Sequence, residues 1–218
     1  MGRGIALALA REGVHVVCSD IKRNAHSTAS RKTSIFQHTP SLQTMGELLH
    51  INSKFSKIDI IINNAGVWWP LRDFVEETDE QWDIMMAVNG KGCATAMREA
   101  IKQMIKQPIA ESGARGRIVN ISSAAGITAI RREATYAASK AAVTTLTKTV
   151  ALGHAKDRTA QASTNFRDPA IIAEMRKGAP WPRLGEPIDV ANMVVFLCTD
   201  EALWIRGQNI AVDGGFTV

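Results

Sequence analysis

No run of about 18 or more apolar residues occurs in the sequence, the length a helix needs to span a bilayer. The N-terminus has no charged segment followed by a long apolar stretch, so a secretory signal is not expected either. A cytoplasmic location without a membrane partner is the resulting expectation. Cysteine is scarce, and Cys18, Cys93 and Cys198 are odd in number and widely spaced. Such spacing suits neither a disulfide framework nor a zinc site, so all three are expected to be small buried hydrophobes, with no metal. Charge is not gathered into blocks. The excess of 26 Lys and Arg over 21 Asp and Glu leaves +5, with no more than basic pairs such as Lys22-Arg23, Arg31-Lys32 and Arg131-Arg132. Without a recognition motif or a basic stretch interleaved with aromatics, that is a solvated surface, and no nucleic-acid partner is expected. Tyrosine is rarest of all: Tyr136 is the only one.

What is present is enough for one core. At 218 residues and 45% hydrophobic content, a single domain over 1–218 is the expectation, and no internal repeat or low-complexity linker divides it. Strong helix formers over Ile5–Ala10 stop at Gly13, and Val14–Cys18 follows as a strand. Leu42, Met45, Leu48, Leu49 and Phe55 recur at helical spacing ahead of the uninterrupted apolar run Ile58–Ile62. Thr78-Asp79-Glu80-Gln81 has capping-box spacing and starts a long helix that ends before Pro108. Arg117–Ser122 reads as a buried strand, Ala134–Leu152 as a long helix, and Gln208–Val212 as a closing strand. Asp168-Pro169 and Glu186-Pro187 resemble helix entries. Buried apolar strands alternating with helices predict an α/β fold with a parallel sheet covered on both faces.

The chemistry concentrates around Tyr136-Ala137-Ala138-Ser139-Lys140, thirteen residues after Ser123 at the end of a predicted strand. Four-residue spacing puts Tyr136 and Lys140 on one helix face. A phenol with a pKa near 10 needs a neighbouring cation to act as acid and base near neutrality, and Lys140 would supply it. Ser123 would hold the reacting oxygen with its hydroxyl. A Tyr-x-x-x-Lys pair alone also occurs on ordinary surface helices.

The surrounding motifs make the pair specific. Asn63-Asn64-Ala65-Gly66 follows a strand, Val88-Asn89 lies in the long helix, and Ile118 to Ser123 precedes Tyr136 to Lys140. Arg183-Leu184-Gly185-Glu186-Pro187 and Val212-Asp213-Gly214-Gly215 complete the series. In order and spacing the chain resembles the short-chain dehydrogenase/reductase family. The resemblance implies a Rossmann-like, doubly wound parallel sheet and an enzyme that interconverts an alcohol and a ketone by hydride transfer. It implies catalytic roles for Asn89, Ser123, Tyr136 and Lys140, with Asn89 shaping a water-bearing kink in its helix and Lys140 also holding the nicotinamide ribose. Gly2, Asn63, Ala65 and Gly66 match cofactor-binding positions, and a homodimer or homotetramer acting on a small-molecule alcohol or ketone is expected. Asp20 stands eighteen residues after Gly2, near the spacing of the acidic residue that binds the adenosine ribose. Its carboxylate would repel a 2′-phosphate, which favours NAD(H) over NADP(H).

Three departures stand beside the match. Gly2 aligns with only the last glycine of the family's pyrophosphate turn, so the strand and glycines before it are expected to be lacking. Gln37-His38-Thr39-Pro40 stands where an Asp-Val pair normally contacts adenine. No Asn-x-x-x-Pro-Gly segment follows Arg158, and a later strand is expected to be lacking there. Two functional expectations follow: an NAD(H)-dependent enzyme, or a catalytically impaired family member that acts by binding a partner. Cofactor titration separates them.

Overall fold

The computed structural model describes residues 1–18, 57–165, 181 and 183–217. Helix α1 (Gly2–Arg11) buries Ile5, Ala6, Ala8 and Leu9 along one stripe and ends where Gly13 takes a φ of 79°, a left-handed conformation that suits glycine. Strand β1 (Ile60–Asn63) comes from the apolar run. Helix α2 (Asp79–Met85) starts at the expected capping box: Thr78 Oγ1 accepts from Gln81 N at 3.3 Å, and Gln81 Oε1 accepts from Thr78 N at 3.1 Å. A π-helical turn over Met86–Gly92 carries it into α3 (Cys93–Met104). Strand β2 (Gly116–Ser122), helix α4 (Ala134–Gly153), strand β3 (Thr159–Asn165), helix α5 (Pro187–Leu197) and strand β4 (Asn209–Ala211) follow.

The four strands form one parallel sheet in the order β1-β2-β3-β4. Alternation along β2 serves both faces, as the period of two requires. Val119 and Ile121 join α1 and α5 in one cluster with Val190, Ala191 and Val194, whereas Ile118 joins α3 and α4 in another with Met97, Ile101 and Val143. Helices therefore cover both faces, and the Rossmann-like α/β expectation holds. No helix among the described residues is long and apolar enough to cross a membrane.

Three expectations need correction or relocation. The later strand expected to be lacking is present: Thr159–Asn165 pairs with β2 along its whole length and carries β4 on its other edge. Its described side chains are small. Ala160 and Ala162 are buried beside Thr159, Ser163 and Thr164, so a strand buried on both faces exists here without the large apolar residues that usually announce one. Val14–Cys18 does not become a strand; Val16 makes an isolated bridge, although Val16 and Val17 still pack into opposite clusters. Of the cysteines, Cys93 is buried and Cys198 half-buried, but Cys18 is exposed. Asp20, the predicted helix over 42–55, Gln37–Pro40 and Asp168-Pro169 lie outside the described residues.

Candidate active site

Parallel strands place their C-terminal ends on one edge of the sheet, where ligands of such folds bind. Here β1 ends at Asn63, which pairs in register with Asn120, and β2 runs two positions further to Ser122, with Ser123 directly after it. Asn63 turns inward. Its Nδ2 donates to Asn120 Oδ1 at 2.7 Å, and Asn120 Nδ2 donates on to Thr147 Oγ1 of α4 at 2.8 Å, tying β1 and β2 to that helix.

The loop after β1 is held by Asn89. Its Oδ1 accepts from Val67 N at 2.8 Å and its Nδ2 donates to Val67 O at 2.9 Å, so one side chain satisfies both backbone groups of Val67. Asn89 sits in the middle of the π-helical turn, and such turns frequently mark functional positions in helices. The same Nδ2 lies 3.0 Å from Ser139 Oγ, which donates to the Tyr136 carbonyl at 2.8 Å. Asn89, Ser139 and the Tyr136 backbone thus form one chain of hydrogen bonds.

Lys140 is buried one helical turn beyond Tyr136, with Nζ donating to Ile121 O at 3.0 Å. Its ammonium stands 5.8 Å from the centroid of the half-buried Tyr136 ring. Burial pulls the Lys140 pKa down to about 8, opposed by Cys93. The Cys93 thiol is itself pushed up to about 12 by burial and stays protonated, so it adds no charge near neutrality. Lys140 keeps its charge at pH 7 and is the buried cation of this region.

Ser123 is buried at the end of β2, where its Oγ accepts from Ala125 N at 3.2 Å and caps a short 3-10 turn over Ala124–Gly126. That turn lies against α4: a Cβ on Gly126 would come within 2.8 Å of the Lys140 backbone carbonyl and of Ser122 Oγ. Gly66 is less tightly confined, since a Cβ there would stand 3.2 Å from Asn89 Oδ1 and 3.3 Å from Lys140 Nζ, both side-chain atoms. Ala65 is half-buried between Gly66 and the strand end. Gly2 is buried at the start of α1, which packs against α5 on the opposite face from α4. The structure therefore gathers Asn89, Tyr136, Lys140 and Gly66 directly, sets Ser123 at the adjoining strand end, and puts Gly2 across the sheet.

Sequence reasoning passed over Ser139 and Ser122. Ser139 was visible within the Tyr-to-Lys motif at the (i, i+3) spacing that reaches a preceding turn. Ser122 Oγ donates to Lys140 O at 3.1 Å and lies 2.8 Å from Thr144 Oγ1, a contact whose partners are 18 and 22 residues away in sequence.

A doubly wound sheet with a buried lysine beside a tyrosine at the strand ends defines an α/β oxidoreductase of the dinucleotide-binding class. A family model described as Enoyl-(Acyl carrier protein) reductase matches residues 1–217. The 3-oxoacyl-[acyl-carrier-protein] reductase FabG of Thermotoga maritima is 30% identical over 100% of this chain and 94% of its own length. Oxidoreductase UcpA of Salmonella typhimurium is 30% identical over 100% of this chain and 90% of its own. The crystal structure of 3-ketoacyl-(acyl-carrier-protein) reductase from Brucella melitensis complexed with NADH superposes with a TM-score of 0.89 at 26% identity, covering 100% of this chain and 93% of that one. ElxO with NADPH bound shares the fold at a TM-score of 0.85 and 24% identity, covering 99% and 93%. The chain belongs to the short-chain dehydrogenase/reductase family and is an oxidoreductase of the nicotinamide-dependent kind.

Proposed function

We propose that this chain interconverts an alcohol and a ketone, with Tyr136 exchanging the proton at the carbinol oxygen. The residues present fit a nicotinamide dinucleotide. Gly66 leaves open the space beside Lys140 Nζ and Asn89 Oδ1 that a Cβ would fill, and a buried ammonium suits ribose hydroxyls. When bound, the nicotinamide supplies or accepts the hydride at the substrate carbon.

This chain's residues do the rest. Lys140 holds a positive charge near the Tyr136 ring and lowers the cost of its phenolate. Ser123 donates to the carbonyl oxygen and holds it for Tyr136. Asn89 fixes the π-helical turn and, through Ser139, the backbone of Tyr136. Gly2, Asp20, Asn63, Ala65, Gly66, Tyr136 and Lys140 form the cofactor contacts, with NAD(H) preferred to NADP(H) because Asp20 would repel a 2′-phosphate. The working unit is one domain that assembles as a homodimer or homotetramer on a small-molecule substrate. Two of the relatives are named for reducing 3-oxoacyl groups, so a β-keto carbonyl is the substrate class to try first.

The observation that carries the reading is the convergence of Asn89, Ser139, Tyr136 and Lys140, drawn from two helices, on one strand end. Its test is oxidation of NADH and NADPH by the full chain with acetoacetyl-coenzyme A and a panel of simple ketones. Tyr136→Phe keeps the ring and removes the acid, so turnover should fall at least about a hundredfold while NADH affinity is kept. Retention of more than about a tenth of wild-type turnover would exclude Tyr136 as the proton donor.

A further inference from the structure

Two segments flank the Tyr136–Lys140 pair, and four contacts fasten them together. One segment leads from Gly66, against Lys140, through Trp68 to Glu77; the other is Arg131 to Thr135 at the head of α4. Arg72 N donates to Arg132 O at 3.3 Å, Arg132 Nε pairs with Asp73 at 3.2 Å, and the Thr135 hydroxyl bonds Glu77. The Arg132–Asp73 pair is exposed, and such pairs hold little. The fourth contact differs in kind. Trp68 Nε1 donates to Glu133 Oε1 at 3.3 Å, and Glu133 is only 3% exposed. Carboxylates are rarely buried so deeply unless a partner or a task holds them there. Glu133 lies one turn ahead of Tyr136, and Trp68 directly follows Val67, whose two backbone groups are both held by Asn89. Arg132, just before it, adopts a φ of 66°, a strained conformation for a residue with a side chain, and this shapes the turn that delivers Glu133.

We propose that Glu133 is a positioning residue: by holding the Trp68 indole it fixes a wall beside Tyr136 and sets how bulky a ketone the site accepts. This rests on the alcohol–ketone reading above. Glu133→Gln keeps an acceptor for the indole, Glu133→Ala removes it, and Trp68→Phe removes the donor while keeping a ring.

The measurement is kcat/KM of the full chain for ethyl acetoacetate and for ethyl benzoylacetate, which differ in bulk beside the same β-keto group. Glu133→Ala and Trp68→Phe should each move the ratio about fivefold toward the bulkier ester, the shift expected from one lost hydrogen bond. Glu133→Gln should stay within about twofold of wild type, and the double variant should go no further than either single one. Unchanged ratios in both single variants, or additive shifts in the double, overturn the proposal. If the wild type reduces neither ester, the alcohol–ketone reading fails for that class, and hydrogen exchange over residues 66–72 still decides this one. Faster exchange in Glu133→Ala and Trp68→Phe but not in Glu133→Gln upholds Glu133 as the holding group; equal exchange in all overturns it.

Discussion

Lys140 is stored in a place its charge does not favour. Burial holds its pKa near 8 against an ordinary 10.5, so the folded protein releases this proton before the unfolded chain does. Below pH 8 both states are protonated and the burial penalty is fully in force. Between about 8 and 10.5 the unfolded chain alone keeps the proton, and raising the pH therefore stabilises the fold. Relative to Lys140→Met, wild-type stability should climb by about 3 kcal/mol across that window. Urea denaturation of both proteins from pH 7.5 to 10.5, in steps of about half a unit, measures it; parallel curves would mean the amine is well solvated. Function gives a reason for carrying such a penalty, since the same ammonium faces the Tyr136 ring at 5.8 Å.

At the level of elements, the site depends on how closely the 3-10 turn after β2 approaches α4. Gly126 permits contact at the Lys140 carbonyl, and that neighbour is backbone, which cannot swing aside. Gly126→Ala should therefore cost about 1–3 kcal/mol of stability and displace Ser123 relative to Tyr136, lowering turnover with it. A variant with wild-type urea midpoint and turnover would show that the turn yields freely. Gly116 makes the contrast, because a Cβ there would meet the Met104 side chain, a flexible group able to move. The π-helical turn has the same logic: a regular helix through Met86–Gly92 would rotate Asn89 away from Val67 and Ser139, breaking three hydrogen bonds at once.

For the molecule as a whole, cofactor binding and stability are linked. A ligand bound only by the folded state stabilises it by about 2.7 kcal/mol at a hundred times its Kd. NADH should thus raise the melting temperature of the full chain, and by more than NADPH at equal concentration if Asp20 meets the adenosine ribose. Thermal denaturation with each cofactor tests this, and Asp20→Ser should narrow the gap. A larger shift with NADPH in the wild type would reverse the assigned preference.

Much of this protein was legible before any fold was in hand, because the relevant signals are local. Apolar runs announced β1 and β2, Thr78 and Gln81 announced the start of α2, and four-residue spacing placed Tyr136 beside Lys140. Strand β3 escaped notice because Thr159–Asn165 holds no large apolar residue, and its burial is conferred by β2 and β4 on either side. Sequence by itself determined which side chains have the chemistry: one tyrosine, a lysine one turn on, a serine at a strand end. Tertiary structure alone decided what holds them, since Asn89 meets Ser139 across 50 residues and Trp68 meets Glu133 across 65. A hydrogen bond needs its partners within about 3.5 Å, and no pattern along the chain supplies that distance until the sheet has brought the strand ends together.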